Sequence, residues 1–286
     1  MDPVAGKHRK PRSRVWQASA LGVLLAVAAA IGSLWLFQER LIYPARHYSA
    51  NQLQELPKEL VVLRDPSNRA SIMGFYRPPL DGGVPRTLWL TFGGNGDDAL
   101  RWDGLLSGSV TRERGFLMVE YPGYGARAGS PSPETLLSGT EATVQALAQH
   151  LQTSVADLES RTSLIGYSIG SAAALQYAAR HPVQRIILFA PFTTMLDMAR
   201  LVVGSPLCYL LTHRYDNLAS LQNILAHGKP SITVFHGSQD SFIPHSMGQA
   251  VAAHAPGSYF ELVPGADHGD VAELAAPRLQ ELLDTP

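Results

Sequence analysis

The sequence predicts an α/β protein whose mostly parallel, doubly wound sheet follows one membrane-spanning helix. Three observations support this prediction. Short apolar segments alternate with segments of helical period through residues 86–283. Glycine-rich turns follow several of those apolar segments, and an uncharged apolar run at 15–37 precedes the whole pattern. Strands that alternate with helices imply a parallel sheet with helices on both faces, and ligands of such sheets bind beyond the carboxyl ends of the strands.

Composition excludes several classes of function. The chain has 286 residues and a net charge of −1, which gives no sign of a nucleic-acid partner. Its one cysteine, Cys208, rules out an internal disulfide, so an apolar core must hold the fold. The ten histidines show no spacing typical of a metal site. We therefore expect neither a metal nor another cofactor.

The N-terminal segment is typical of a membrane anchor. Residues 1–14 are rich in lysine and arginine and are predicted to form a basic cytoplasmic tail. As a helix, residues 15–37 would span a hydrocarbon core of about 30 Å, with Trp16 and Trp35 near its two interfaces. Because the positive charge precedes this run, residues 38–286 are predicted to form one domain on the non-cytoplasmic side, which is the periplasm if the source is bacterial.

Two alternatives to an uncleaved signal anchor are open at this point. A run of this kind can be a buried core helix, although its length and terminal position argue against that. It can also be a cleaved signal peptide, for which Ala28-Ala29-Ala30 would supply small residues at a cleavage site. The apolar run continues past those alanines to Phe37, which favours the anchor.

The periodicity of the remaining chain predicts the order of its elements. Strands are predicted at 60–64, 70–76, 86–92, 116–121, 161–167, 183–190, 231–236 and 259–263. Helices are predicted at 99–106, 134–151, from the turn after 167 to about 180, at 245–253 and at 270–283.

The central motif of the chain is Gly166-Tyr167-Ser168-Ile169-Gly170. An apolar strand leads into it and a small-residue helical pattern leaves it. This is the strand–turn–helix setting of a nucleophile elbow, in which the serine hydroxyl is presented at a sharp turn. A glycine-serine turn with no chemical role fits the pentapeptide equally well, so other residues must decide.

A serine hydroxyl needs a base to become nucleophilic, and the base needs an orienting acid. His268 follows the last predicted strand in a glycine-containing loop, and Asp240 follows the strand before it. Asp267 is the alternative acid, but a residue next to His268 in sequence would usually point away from that ring. The order Ser168, Asp240, His268 is a known triad order. We therefore predict these three as the catalytic residues.

Acyl transfer also requires donors for the oxyanion of the intermediate. The backbone N–H of Ile169, the residue after the serine, should supply one. The glycine loop after the third predicted strand should supply the other, which we assign to the backbone N–H of Asn95. A dinucleotide-binding loop is disfavoured there, since no Gly-x-Gly-x-x-Gly pattern occurs.

Seven motifs spread over residues 40–284 carry a family likeness. They are Leu41-Ile42-Tyr43-Pro44, Phe92-Gly93-Gly94-Asn95, Tyr121-Pro122-Gly123-Tyr124-Gly125, Gly166-Tyr167-Ser168-Ile169-Gly170, Ala190-Pro191-Phe192-Thr193, Gly237-Ser238-Gln239-Asp240 and Gly265-Ala266-Asp267-His268. With these motifs the chain resembles the α/β-hydrolase superfamily and, more narrowly, membrane-anchored Bem46-like serine hydrolases. The family often has a histidine, which supports the loop, where this chain has Gly93.

The resemblance implies an α/β-hydrolase fold with a small helical lid, which we place at 191–230. Its apolar residues predict a pocket for the acyl chain of a small-molecule or lipid substrate; a helix pair that packs on the core is the alternative. The expected reaction is hydrolysis of an ester, thioester or amide through an acyl-enzyme. Two other functions stay open, namely a serine peptidase that uses Glu134, Asp97 or Asp98 to bind an amino terminus, and a non-catalytic scaffold.

Overall fold

The structure, a computed structural model, describes residues 12–285. Residues 1–11 of the predicted basic tail lie outside the described residues, as does the side chain of Trp16. The strands are β1 (Val61–Arg64), β2 (Ile72–Arg77), β3 (Thr87–Phe92), β4 (Arg114–Val119), β5 (Thr162–Tyr167), β6 (Arg185–Phe189), β7 (Ser231–Gly237) and β8 (Tyr259–Val263). The helices are α1 (Arg12–Ile42), α2 (Ala50–Gln54), α3 (Leu100–Leu106), α4 (Pro133–His150), α5 (Val155–Glu159), α6 (Ile169–Ala178), α7 (Met195–Val203), α8 (Asn217–His227), α9 (His245–Ala253), α10 (Val271–Leu274) and α11 (Ala276–Asp284), with 3₁₀ turns at Ser107–Ser109 and Leu207–Leu210.

Within residues 12–285 the sheet has eight strands in the order β1-β2-β4-β3-β5-β6-β7-β8. The first two pairings, β1 with β2 and β2 with β4, are antiparallel. All the later pairings are parallel. The prediction of a mostly parallel sheet is therefore confirmed, and the carboxyl ends of β3, β5, β6, β7 and β8 meet at one edge.

The central strands are buried on both faces, which explains their nearly continuous apolar sequences. In β3, Leu88 and Leu90 pack into one core cluster and Trp89 packs into the other, on the opposite face of the sheet. Every residue of β5 is buried. Since this strand carries Ser168 at its end, the residue at the centre of the sequence motif stands on a rigid support.

Most predicted elements occur within a few residues of their predicted bounds. β4 begins at Arg114 rather than Phe116, because its pairing with β3 extends to the Thr87–Arg114 register. Two helices of five residues, α2 and α5, were not predicted. Each begins after a serine, Ser49 or Ser154, whose hydroxyl accepts a backbone N–H at the helix start. These caps are local signals that apolar periodicity does not reveal.

The N-terminal helix α1 contains an apolar stretch, Ser19–Ile42, long enough to cross a membrane; a signal sequence has the same length and composition. Its side chains are largely exposed, as Leu24 and Leu25 are. A buried core helix is therefore excluded for this stretch. The helix continues past the predicted end at Phe37 to Ile42.

The segment predicted as a lid, 191–230, has two parts with different environments. Leu221 and Ile224 of α8 are buried, and this helix packs against α6 in the main core. Helix α7 is mostly half-buried and leaves Leu201 and Val202 exposed. Packing on the core thus describes α8, whereas α7 and the following 3₁₀ turn form the outer part of the segment.

Gly170 allows α6 to approach β3, and its replacement should destabilise the fold. A Cβ at this position would lie 2.2 Å from the carbonyl oxygen of Phe92 and 2.5 Å from that of Gly93. Because both are backbone atoms, Gly170→Ala should lower the free energy of unfolding by about 2 kcal/mol or more. Denaturant unfolding in detergent would measure this difference.

The matched control is Gly104→Ala in α3, where an added Cβ meets no atom within 4 Å. This variant should be neutral or more stable by up to about 1 kcal/mol, since alanine is the better helix former. Equal unfolding free energies for the two variants would contradict the proposed close approach at Gly170.

Candidate active site

Ser168 occupies a strained turn between β5 and α6. Its φ of 56° and ψ of −121° lie in a region that residues with a side chain rarely adopt. Such strain costs about 1–3 kcal/mol and persists where the surroundings impose it. Here the Ser168 N–H donates to the carbonyl of Phe189 at 2.9 Å. A Cβ at Gly166 would lie 2.6 Å from the carbonyl oxygen of Gly170, so only glycine fits there.

The structure brings Ser168, His268 and Asp240 together at the carboxyl edge of the sheet. His268 Nε2 lies 3.1 Å from Ser168 Oγ. His268 Nδ1 lies 2.8 Å from Asp240 Oδ2. Both distances are those of hydrogen bonds. The three side chains therefore form a continuous path for one proton, from the hydroxyl to the imidazole, with a carboxylate behind it.

The Asp240 carboxylate is fully buried and ionised. Burial raises its pKa, but hydrogen bonds from His236 and His268 and from the Ile243 N–H outweigh that effect. They hold the pKa well below its usual range. A buried carboxylate held in this way stabilises positive charge on the His268 ring.

Asp267, the alternative acid, faces away from the imidazole. Its Oδ1 accepts the backbone N–H of His268 at 2.6 Å and that of Ser241 at 3.3 Å. The side chain thus orders the loop that carries His268. The ring of His268 instead stacks on Tyr167, with ring centroids 5.4 Å apart.

His236 lies beside Asp240 and was not predicted from the sequence. The side chain is fully buried at the end of β7, and its Nε2 lies 2.9 Å from the Ile243 carbonyl oxygen and 3.3 Å from Asp240 Oδ2. It holds the far side of the carboxylate that faces His268. The signal was present in the sequence, since His236 lies four residues before Asp240 at a strand end.

The loop after β3 is held by side chains in place of the family histidine. The Gly94 N–H donates to Asp97 Oδ2 at 2.8 Å. The hydroxyl groups of Tyr121 and Tyr124 donate to the carbonyl oxygens of Gly93 and Asn95, each at 2.8 Å. Since three hydrogen bonds fix this loop, it is held in place although Gly93 replaces the histidine.

The two predicted oxyanion donors border the cleft that contains Ser168. Asn95 and Ile169 both line this cleft. Among the described residues, neither backbone N–H donates to another protein group. Two free donors beside a serine hydroxyl are the requirement for stabilising an oxyanion.

Arg101, on α3, was also not predicted from the sequence. It links the loop after β3 to the loop that carries His268. Its Nη1 donates to both carboxylate oxygens of Asp97 at 2.8 Å. Its Nη2 donates to Glu273 at 2.7 Å and to the Gly269 carbonyl at 3.1 Å. The guanidinium also lies over the Tyr167 ring, 4.9 Å from its centroid. One cation thus fixes the two loops relative to each other.

The cleft beside Ser168 is almost entirely apolar. Its walls come from α1, from α7 and its 3₁₀ turn, and from the loop around Phe242. Glu134, Asp97 and Asp98, the candidates for binding an amino terminus, are not among the residues that line it. Across the described part of the chain, no cluster of histidine, cysteine and carboxylate side chains could hold a metal ion.

Glu120 is a buried carboxyl group beneath the loops around the site. It lies at the end of β4, where Tyr48 donates a hydrogen bond to it and the Ala99 N–H lies 3.5 Å away. Burial, aided by nearby Asp98 and opposed by the Tyr48 hydrogen bond and by Arg127, raises the pKa of Glu120 to about 8. The folded protein therefore keeps this carboxyl group protonated at neutral pH.

Stability should consequently fall as pH rises through this range. Between pH 4.5 and about 8 the unfolded chain ionises Glu120 whereas the folded chain retains the proton, so folding weakens as pH increases. Glu120→Gln is neutral at every pH and should lack this slope. Relative to that variant, the wild type should lose about 1 kcal/mol per pH unit within the window.

Denaturant unfolding at pH 5, 6.5 and 8 would test this slope. Glu113→Gln is the control, because Glu113 is exposed in a surface ion pair with Arg86. Its unfolding free energies should run parallel to those of the wild type. If the unfolding free energies of Glu120→Gln also ran parallel to those of the wild type, the pKa of Glu120 would not be raised in the folded protein.

Fold and site together place the chain in a structural class: it has the α/β-hydrolase fold. The fold that these motifs predicted is thereby confirmed. No protein-family model matches the chain.

Two sequence relatives show how the likeness is distributed. An uncharacterized protein of Mycobacterium tuberculosis is 27% identical over 251 residues, which are 87% of this chain and 86% of that protein. The human alpha/beta hydrolase domain-containing protein 17C is 30% identical over 164 residues, which are 57% of this chain but 46% of that protein. The likeness to the second relative is therefore confined to about half of its length.

Solved structures match a similar share of the chain. An α/β hydrolase from Vibrio vulnificus matches with a TM-score of 0.64 at 15% identity, over 86% of this chain and 91% of that one. An esterase from Pyrococcus furiosus matches with a TM-score of 0.59 at 14% identity, over 82% and 93% of the two chains. At such low identity these structures show a shared fold.

Proposed function

We propose that the protein is a membrane-anchored serine hydrolase that cleaves an ester, thioester or amide bond through an acyl-enzyme, with carboxylic esters favoured. The observation that carries the proposal is the path of hydrogen-bond contacts from Ser168 through His268 to Asp240, which opens into an apolar cleft. Esterases among the structures of the same fold are consistent with it. The substrate would be a small-molecule or lipid acyl compound.

In the first half of the reaction, Ser168 Oγ attacks the substrate carbonyl carbon and His268 Nε2 accepts the hydroxyl proton. The N–H groups of Asn95 and Ile169 stabilise the negative oxygen that forms. The intermediate then collapses, the bond to the alcohol, thiol or amine breaks, and His268 returns the proton to that leaving group.

In the second half, water attacks the acyl-serine while His268 takes its proton. Collapse of this intermediate releases the carboxylic acid and restores the Ser168 hydroxyl. Asp240 keeps Nδ1 of the imidazole protonated, so that Nε2 can act as the base. Because the pKa of Asp240 is low, its carboxylate stays ionised and holds this proton on Nδ1 throughout the neutral pH range.

The domain organisation that we propose follows the sequence. Residues 1–14 would form a cytoplasmic tail, 15–37 the membrane anchor, and 38–286 the hydrolase domain with its lid at 191–230. The exposed apolar surface of α1 supports the anchor, and the basic residues before it support a non-cytoplasmic hydrolase domain.

Comparing p-nitrophenyl esters with aminoacyl anilides on the detergent-solubilised protein would test the reaction class. We expect hydrolysis of the esters and little cleavage of the anilides, because no carboxylate among the described residues lines the cleft to bind a free amino terminus. Preferential cleavage of the anilides would favour a peptidase. No turnover of either, together with no labelling by a fluorophosphonate, would favour a scaffold without catalytic activity.

A further inference from the structure

The cleft beside Ser168 is built partly from the N-terminal helix. Its α1 wall consists of Leu34, Trp35, Gln38, Leu41 and Ile42. The other walls come from α7 and from Leu207–Leu211, and Ser168 and Ile169 border the same space. The helix proposed as an anchor therefore supplies part of the surface that a substrate at Ser168 would contact.

Gln38 fixes this wall in place. Its side chain is 8% exposed although most of α1 around it is exposed. The Oε1 atom accepts the Thr212 N–H at 2.8 Å and the Thr212 hydroxyl at 3.0 Å. The Nε2 atom donates to the Trp35 carbonyl at 2.8 Å and lies 3.4 Å from the Leu210 carbonyl. A buried amide must be hydrogen-bonded to be tolerated, and here its partners outside α1 lie at the end of the 3₁₀ turn, at Leu210, and just after it, at Thr212.

Further contacts join the end of α1 to the same segment. Glu39 Oε1 lies 3.4 Å from His213 Nε2. The Tyr43 ring lies 5.5 Å from the His213 ring, and the Tyr43 hydroxyl lies 3.1 Å from that of Tyr215. Contacts on successive turns fix both the position and the rotation of the helix. These contacts therefore keep one face of α1 against the cleft.

The margin of the cleft is apolar and open to the surroundings. Leu41 is 66% exposed, Val202 is 71% exposed and Phe242 is 51% exposed, and all three line the cleft. They come from three separate parts of the chain. Large exposed apolar side chains grouped around one opening indicate contact with an apolar phase, and the anchor beside them would bring that phase, the bilayer, to the opening.

We propose that the end of α1, residues 34–42, is a substrate-binding element, and that a long acyl chain of a membrane lipid ester enters the cleft sideways from the bilayer and packs along it. This inference rests on the proposed serine-hydrolase function and specifies its substrate class. The acyl chain would pass directly from the lipid into an apolar cleft. It would thus avoid exposure to water, which costs about 0.8 kcal/mol per methylene group. The ester carbonyl would then lie at Ser168.

A hexadecyl fluorophosphonate with a diazirine at the end of its chain tests the proposed function and this inference in one experiment. The phosphonate would bond to the nucleophile of the full-length protein in lipid vesicles, and light would attach the chain tip to whatever it contacts. Peptide mapping should find phosphorus on Ser168 and photo-crosslinks within residues 34–42 and 195–211.

Phosphonylation of Ser168 without any crosslink in residues 34–42 would overturn the inference and leave the proposed function intact. No phosphonylation at all would overturn both. This measurement uses the wild-type chain, so that no variant has to fold.

Kinetics of paired variants provide a second test. Leu34→Ala/Leu41→Ala shortens two side chains of the cleft wall, whereas Leu24→Ala/Leu25→Ala shortens two exposed α1 side chains that do not line it. The first variant should lower kcat/KM for p-nitrophenyl palmitate by about tenfold or more. The second variant should leave the turnover of both p-nitrophenyl palmitate and p-nitrophenyl acetate unchanged.

An equal effect of the two pairs on palmitate hydrolysis would contradict a role for the cleft-lining face of α1. Wild-type activity restricted to short esters would contradict it as well.

Discussion

Replacement of Ser168 by alanine is expected to lower kcat for ester hydrolysis by about 10³- to 10⁶-fold, because the acyl-enzyme can no longer form. The fold should survive, since the Ser168 side chain borders the cleft and its hydroxyl contacts only His268 among the described residues. Substrate binding should change little, so KM would stay similar. Steady-state hydrolysis of a p-nitrophenyl ester, with the unfolding free energy measured in parallel, would establish both points.

Ser163→Ala is the matched control. Ser163 lies on the same strand, is fully buried, and its hydroxyl has no hydrogen-bond partner within the described part of the chain. Its removal should leave both activity and stability close to wild type. If Ser168→Ala retained the activity of the Ser163→Ala control, another residue would have to be the nucleophile.

Replacement of Asp240 by asparagine is expected to lower kcat by about 10⁴-fold while the backbone keeps its geometry. An amide N–H directed at His268 would stabilise the ring tautomer that has its proton on Nε2, which cannot accept the proton of Ser168. The positive imidazole formed during the reaction would also lose its carboxylate partner. Because the 2.8 Å contact at Nδ1 orients the ring, loss of activity should greatly exceed loss of stability.

Asp267→Asn separates the two acids that the sequence allowed. Asp267 accepts backbone N–H groups and does not bond to the imidazole. Its replacement should therefore reduce kcat by less than about tenfold, through a less ordered loop. The Asp240 and Asp267 variants should be compared in one pH–rate series; a larger loss for Asp267→Asn would reverse the assignment of the acid.

The fold could be predicted largely because its central strands are buried on both faces. β6 stood out as an apolar run, Ile186-Ile187-Leu188-Phe189, β5 as a short segment that leads into a glycine turn, and α9 coincides with its predicted bounds. Short helices such as α2 and α5 could not be found in this way, since five residues complete little more than one helical turn.

The candidate site was only partly predictable. That Ser168, Asp240 and His268 lie close together could be predicted, because each follows a strand within a few residues and the three side chains fit a nucleophile, an acid and a base. Arg101 and Gln38 could not, since their important partners are separated from them by about 170 residues of chain. Nothing in their own sequence surroundings distinguishes these two side chains from ordinary surface residues. Their roles arise only when folding brings α3 to the histidine loop and α1 to the lid segment.

Labelling of the full-length protein with a fluorophosphonate, followed by peptide mapping, tests the central proposal most directly. The reagent bonds only to a serine that is activated as a nucleophile. We predict one phosphonate per chain, attached to Ser168, and no labelling of the Ser168→Ala or His268→Ala variants. A phosphonate on another serine, or an unlabelled wild-type protein that is correctly folded, would contradict the proposal that Ser168 is the nucleophile of a serine hydrolase.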